Sequence, residues 1–179
     1  VLAPDQFNRH CLATAMMADL VAQWVRTDYG EGAFAAGLLH GIGKLVIGLA
    51  LQKEYELFLF NAGTAEVSVE ETEKHWIGLD HREIAGIALQ KWNLPQEIHK
   101  AVTSLVNDEG QSGDVLPLGA VLQASHRAVL SLGIDAACCQ RNPEEPTAEE
   151  ILREGLRCRR SSQIVEEFQK HFEQASVFA

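Results

Sequence analysis

The ten residues AGLLHGIGKL, positions 36–45, decide the fold. They continue a segment of small side chains that begins at Ala33, and side chains this small let the backbones of neighbouring helices approach closely. Two glycines follow His40 and predict a turn. We therefore predict one helix from Ala33 to about His40, a glycine turn, and a second helical run from Lys44 to about Leu51.

Apolar residues at helical spacing and capping patterns predict helices along the rest of the chain. These further helices are predicted from Asp5 towards Asp28, from Ser68 to near Gly78, from Asp80 to Asn93, from Pro95 to about Val106, from about Val115 to Leu132, from Thr147 onward, and along a stripe of Ile164, Phe168 and Phe172. Strand pairs, an internal repeat and low-complexity tracts are not evident. The predicted fold class is therefore all-α, a compact bundle of about seven to nine helices.

The domain organisation is predicted from the distribution of apolar and polar residues. We expect one helical domain over residues 1–135. Composition becomes more polar and charged after Ile134, which predicts peripheral C-terminal helices over residues 136–179, packed on the same domain.

Composition limits the classes of function. The chain has 179 residues, of which 46% are hydrophobic, and a formal net charge of -10. A chain of this length can bury a full-sized core. Because an acidic protein repels the phosphate backbone, we expect no direct binding to nucleic acid.

Several features favour a cytoplasmic location. The longest apolar candidate, residues 45–51, is too short to span a bilayer, so we expect no membrane partner. The first residues carry no secretory signal pattern and no initiator methionine, and we expect the chain to be part of a longer protein. The cysteines form no disulfide framework or zinc knuckle and are predicted to be reduced thiols: Cys11, Cys138, Cys139 and Cys158.

Three histidines, His10, His40 and His81, are the candidate metal ligands. They fall in three predicted helices whose packing would bring the imidazoles into one pocket, and neutral imidazoles bind zinc. Metal-dependent hydrolysis of a phosphate ester also needs a carboxylate that offsets the metal charge and positions water. Three histidines alone lack an obvious general base. Each histidine taken singly is more simply a hydrogen-bonded core residue, and only their combination favours a site.

Four sequence blocks resemble a known family in order and spacing. Residues 7–15, FNRHCLATA, are similar to W-x-H-S-x-x-x-A, and residues 36–45 are similar to A-G-L-L-H-D-I-G-K-L. Residues 78–86, GLDHREIAG, resemble G-x-D-H-x-E-V-G-A, and residues 92–98, WNLPQEI, resemble W-x-L-P-x-x-I. Together they resemble the HDOD domain, the HD-related output domain of bacterial signalling proteins, over roughly residues 7–133. The resemblance implies a bundle of HD-superfamily type.

The resemblance carries over only part of the metal site of the catalytic HD and HD-GYP enzymes. Three ligand positions are matched by His10, His40 and His81. The aspartate that follows the motif histidine is replaced by Gly41, which has no side chain to bridge metals.

Other ligand positions implied by the resemblance are also lost. Leu105 and Val106 lie about where those enzymes have a pair of histidines. Ser125 lies near their final aspartate, with His126 beside it. The GYP loop has no counterpart. The resemblance therefore implies no binuclear hydrolase, no bound metal and no cofactor.

Three further residues are predicted with alternatives. Lys44 is expected to cap the carbonyls at the end of the preceding helix, or else to bind an anion as its counterpart in active relatives would. Trp76 and Trp92 are expected to pack in the core, with a surface groove as the alternative.

The predicted function is a non-catalytic regulatory domain that relays signals to a protein partner or to a neighbouring receiver or sensor domain. The sequence leaves the oligomeric state open. One alternative is a residual hydrolase with a single metal held by His10, His40 and His81, with His126 as a further candidate. Another is a pocket that binds a nucleotide or small anion without turnover, through His10, His40 and Lys44.

Overall fold

Helices make up nearly all of the regular structure in the residues that the computed structural model describes: 4–51, 68–104, 114–135 and 146–176. A short 3-10 helix covers Gly30–Gly32. The α-helices are α1 (Pro4–Trp24), α2 (Ala33–Leu39), α3 (Ile42–Ala50), α4 (Val69–Ile77), α5 (His81–Lys91), α6 (Gln96–Thr103), α7 (Leu118–Ser131), α8 (Ala148–Gly155) and α9 (Ser161–Ser176). An isolated bridge between Thr27 and Leu116 is the extent of β pairing in these ranges. The all-α prediction is confirmed.

Capping boxes begin three of the helices, as predicted. The side chains of Ser68, Asp80 and Thr147 each accept a hydrogen bond from the backbone N–H three residues ahead. The carboxylate of the glutamate at that position in turn accepts the backbone N–H of the capping residue. Each such cap contributes about 1 kcal/mol to helix stability. Gly78 ends α4 with φ 87°, a left-handed conformation that favours glycine.

The first helix is shorter than predicted. It ends at Trp24 and does not run towards Asp28, and Asp5 lies within its first turn. Asp28 has a different role, because its Oδ1 accepts the backbone N–H of Leu118 at 2.8 Å and so caps α7. Long-range hydrogen bonding of this kind ends α1 earlier than its own apolar periodicity indicates.

Two glycines of the quoted stretch allow close backbone contact. A side chain at Gly37 would collide with the backbone of Ala15, and one at Gly43 would collide with the carbonyl of His81. The first contact packs α2 closely against α1, and the second packs α3 closely against the start of α5. This packing confirms the predicted role of small residues and brings the candidate histidines near one another.

The segment Gly30–Ala50 qualifies by length and composition as a candidate membrane span, with a hydropathy of 1.6 over its most apolar window. The expectation that residues 45–51 are the longest apolar candidate is therefore wrong. The candidate is weak, because a spanning helix needs about 20 continuous residues, whereas α2 has 7 residues and α3 has 9. The lack of a membrane partner stays a prediction.

The larger hydrophobic core joins α1 and α7 to the last two helices. It includes Met17, Val121, Leu152, Ile164 and Phe168. The C-terminal helices thus supply part of this core and are not peripheral to it, because their amphipathic faces turn inward despite their polar composition. The domain boundary at residue 135 stays a prediction.

A second core cluster lies between α1, α2, α5, α6 and α7, next to the histidines. Its members include Ala18, Ala36, Leu89, Val102 and Leu122.

The two tryptophans predicted to pack in the core are exposed. Trp76 has 59% of its surface accessible and Trp92 has 54%. The prediction of core packing is wrong. The buried position of α4 is taken by Glu73, and the buried face of α5 is formed by His81, Ala85, Gly86 and Leu89.

Candidate functional site

Three imidazoles converge from three parts of the bundle. His10 lies in α1, His40 directly follows α2, and His126 lies in α7. The ring centroids are 5.2 Å apart for His10 and His40, 5.1 Å for His10 and His126, and 4.9 Å for His40 and His126. Their ligand nitrogens all lie within 4.8 Å of one another. We call these three residues the histidine cluster.

Backbone carbonyls fix the tautomers of two cluster members. The Nδ1–H of His10 donates to the carbonyl of Ile134 at 2.8 Å, and the Nδ1–H of His40 donates to the carbonyl of Gly37 at 2.6 Å. A carbonyl oxygen only accepts, so Nδ1 must carry the hydrogen in both rings. The two Nε2 atoms face each other at 3.3 Å. In the neutral rings both Nε2 atoms therefore present lone pairs to the same point.

The surroundings keep the cluster neutral. Burial lowers the pKa of His40 to about 3, against the partial opposition of the Gly37 carbonyl. Burial likewise lowers the pKa of His10, and it lowers that of His126 well below its usual value. The positive charge of Lys44 lowers all three pKa values further. Neutral imidazole is the form that binds metals.

His81 faces the same cavity but does not belong to the cluster. Its Nδ1–H donates to Glu73 Oε2 at 2.6 Å, and the same oxygen accepts its backbone N–H at 2.8 Å. Glu73 is fully buried. The sequence pointed to His81 as a third ligand and named His126 only as an addition, whereas the structure groups His126 with His10 and His40.

The cluster opens into a cavity of about 340 Å³ that carries both signs of charge. Lys44 and Arg82 line it, and so do Glu70 and Asp135. Lys44 lies in the first turn of α3, and no hydrogen bond joins its ammonium to the described carbonyls of α2, so its predicted capping role is not observed. Arg82, Glu70 and Asp135 were not predicted, and no spacing signal in the sequence marks them.

The place of the missing aspartate is filled by other side chains. Gly41 has φ −90° and ψ 0°, which any residue adopts, so its conformation does not require glycine. A Cβ at Gly41 would lie 2.8 and 2.9 Å from two ring carbons of Phe7 and 3.2 Å from Sγ of Cys11. Burial raises the pKa of the Cys11 thiol to about 11. The thiol therefore stays protonated near neutral pH and is a poor nucleophile there.

The donor set fits one kind of metal site and not another. A binuclear centre of the HD type needs a bridging carboxylate, and the cluster contains only imidazoles. Three imidazole nitrogens suit a single transition-metal ion. Leu105 and Val106, which replace a further histidine pair, lie outside the described residues.

Comparisons with known proteins agree with this architecture. Residues 2–107 match the HDOD domain. The structure of the "Putative phosphohydrolase from Shewanella amazonensis SB2B" is similar with a TM-score of 0.69 and 16% sequence identity, over 94% of this chain and 60% of that one. This chain therefore spans little more than half the length of that protein, and the likeness at this identity concerns the fold. A search of curated proteins found no match. Because the HDOD match covers more than half of the sequence, the chain belongs to the HDOD family.

Proposed function

We propose that this HD-related domain is a non-catalytic output module that relays signals through protein contacts or contacts with a neighbouring domain. The observation that supports it best is the packing around Gly41. The ring end of Phe7 and Sγ of Cys11 lie where the Cβ of an aspartate at position 41 would need room, so these side chains would have to move to admit it. In the described residues the HD architecture is thus kept, but position 41, where the HD enzymes have the metal-bridging aspartate needed for hydrolysis, is tightly packed.

The composition of the cluster supports the same proposal. Its ligand atoms come from His10, His40 and His126 alone, with no carboxylate among them. Asp135 and Glu70 line the cavity wall outside that group. Among the described residues the cluster itself therefore supplies no carboxylate that could act as the general base for a bound water molecule.

Exposed aromatic side chains support a role in protein contacts. Trp76 and Trp92 expose more than half of their surfaces, and Ile87 exposes 47%. Tryptophan is enriched at protein interfaces relative to ordinary surfaces. We therefore place the relaying contact at α4 and α5, with a partner protein or a receiver or sensor domain in a bacterial two-component or cyclic-dinucleotide system.

Hydrolysis assays test the proposal. The purified chain is incubated with aryl phosphate mono- and diesters, nucleotides and cyclic dinucleotides, each with added Mg²⁺, Mn²⁺ or Zn²⁺. A His40→Asn variant serves as the comparison, because asparagine keeps an amide N–H near the position of Nδ1 and removes Nε2. We expect equal, background rates for both proteins. Hydrolysis that depends on His40 would overturn the proposal.

A second function is favoured by the cationic residues of the cavity. Lys44 and Arg82 line it beside the neutral histidines. Arg82 is paired with Glu70 at 3.2 Å, so Lys44 is the cation offered to a small anion or a phosphate group bound without turnover in this cavity of about 340 Å³. A thermal-shift screen tests this alternative: a nucleotide that stabilises the chain but not Lys44→Met supports it, and an unresponsive chain contradicts it.

A further inference from the structure

We propose that the histidine cluster is a mononuclear Zn²⁺ site that holds α1, α2 and α7 together and takes no part in hydrolysis. The spacing of the ligand nitrogens fits one zinc ion. In a tetrahedral zinc site with Zn–N bonds of about 2.0–2.1 Å, ligand nitrogens lie about 3.3–3.4 Å apart. The Nε2 atoms of His10 and His40 are 3.3 Å apart. Two ligands are therefore already at the spacing that one ion imposes.

The orientation of the lone pairs also fits one ion. Both Nε2 atoms lack a hydrogen in the neutral rings, so neither can donate to the other, and their facing lone pairs repel. A cation between them converts this repulsion into two bonds. Histidine ligands commonly donate the second ring N–H to a backbone carbonyl, which fixes the ring. His10 and His40 both do so, to Ile134 and Gly37.

The third ligand comes from α7. A ligand nitrogen of His126 lies within 4.8 Å of the other two, so it has to approach by no more than about 1.5 Å to complete a zinc-sized triangle. The ring is half-buried, and among the described residues no hydrogen bond holds it in place. A rotation of its side chain supplies this movement.

The donor set and the surrounding charges determine which metal binds. Three imidazoles without a carboxylate favour Zn²⁺ and its late transition-metal neighbours over Mg²⁺ and Mn²⁺, which prefer oxygen ligands. The positive charge of Lys44 acts on all three histidines and opposes a cation at the cluster, so the imidazole–metal bonds have to outweigh this repulsion. Asp135 acts on His10 with the opposite sign and offsets part of the charge of a single ion.

Zn²⁺ at the cluster would stabilise the helical bundle, and this role is separate from the proposed partner contact at α4 and α5. An ion bound at the cluster joins α1, the end of α2 and α7, in addition to the close backbone contact between Gly37 and Ala15. Binding to the folded state alone stabilises that state. At free Zn²⁺ about 100 times the dissociation constant, a chain of this size should melt about 5–10 °C higher.

The test uses the chelator-stripped chain and Zn²⁺ alone. Competition with a chromophoric chelator gives stoichiometry and affinity, Co²⁺ gives the visible spectrum of a four-coordinate site, and a melting curve gives the stabilisation. We expect one Zn²⁺ per chain, much weaker binding of Mg²⁺ and Mn²⁺, and a loss of at least about 100-fold in Zn²⁺ affinity in His10→Asn and His40→Asn. His126→Ala should show the same loss while folding normally, because its ring makes no hydrogen bond among the described residues.

His171→Ala provides the matched control, because His171 is an exposed histidine of α9 far along the chain from the cluster. Unchanged Zn²⁺ affinity is expected in this variant. Failure to bind Zn²⁺, or binding that survives all three cluster substitutions, would overturn the proposal. Hydrolysis of phosphoesters by the Zn²⁺-loaded chain is a separate result. It would contradict the proposed non-catalytic function of the domain and the non-hydrolytic role of the ion. It would not change the assignment of the three histidines as Zn²⁺ ligands.

Discussion

Replacing Gly41 with aspartate restores the residue that the HD motif would have at this position, and the structure predicts that this change damages the protein. The added Cβ would approach two ring carbons of Phe7 to 2.8 and 2.9 Å and Sγ of Cys11 to 3.2 Å. Carbon atoms pack best at about 3.5–4.0 Å. The Phe7 ring must therefore move by several tenths of an ångström or more in a buried setting.

The cost has a steric part and an electrostatic part. Overpacking of a buried site costs about 1–3 kcal/mol, and burial of an incompletely paired polar group adds about 1–3 kcal/mol. We expect Gly41→Asp to lower the free energy of unfolding by about 2–5 kcal/mol. Gly41→Ala adds only the Cβ and should cost about 1–3 kcal/mol, since the backbone at φ −90° accepts alanine.

Urea denaturation of a double-mutant cycle measures the steric part. In a Phe7→Ala background the collision is removed, so the cost of Gly41→Asp should fall by about 1–3 kcal/mol. None of these variants should gain phosphoesterase activity. A Gly41→Asp protein as stable as the original, or one that hydrolyses a phosphoester in a metal-dependent manner, would refute the reasoning that this position is closed.

Three further changes test other contacts of the fold. Gly43→Ala places a Cβ against the carbonyl of His81, a backbone atom that cannot rotate away, and should lower the free energy of unfolding more than Gly41→Ala does when both are measured in urea. Glu73→Ala removes the buried partner of His81 and should cost about 3–5 kcal/mol in the same assay; a loss below about 1 kcal/mol would contradict the buried pair. Asp80 has a lowered pKa, because the N–H of Glu83 and the ammonium of Lys74 outweigh the opposing effect of burial. The contribution of the Asp80 carboxylate to stability is present above about pH 4 and is lost as the pH falls through its folded-state pKa. Asp80→Asn keeps a capping side chain but removes the charge, so the free energy of unfolding should depend less on pH on the acid side. Identical pH profiles for the two proteins would contradict the ion pair between Asp80 and Lys74.

The sequence predicted the start of a helix correctly where the hydrogen bonds that fix it join residues close together in the chain. The capping boxes at Ser68, Asp80 and Thr147 are each completed within four residues, so the pattern alone fixes them. The end of α1 was missed because Asp28 bonds to a residue 90 positions away. The inward face of α9 was predicted from the spacing of its apolar residues, while its share in the larger core depends on packing against α1 and α7.

The site was predicted only in part for the same reason. His10 and His40 were identified together, and the family resemblance supplied their pairing. The grouping of His126 in place of His81 with His10 and His40 was not predictable, because it depends on how α7 packs against α1 in the folded chain. Sequence spacing indicates which residues share a helix face, and it does not indicate which faces of distant helices meet.

The central claim is that the domain keeps the HD architecture without its chemistry. A single-turnover experiment tests it most directly, with the metal-supplemented chain in large excess over a radiolabelled cyclic dinucleotide so that even one slow event per molecule is counted. The account predicts that the substrate decays at the same rate with the natural chain, with His40→Asn and without protein. Decay that is faster with the natural chain and returns to background in His40→Asn would contradict it.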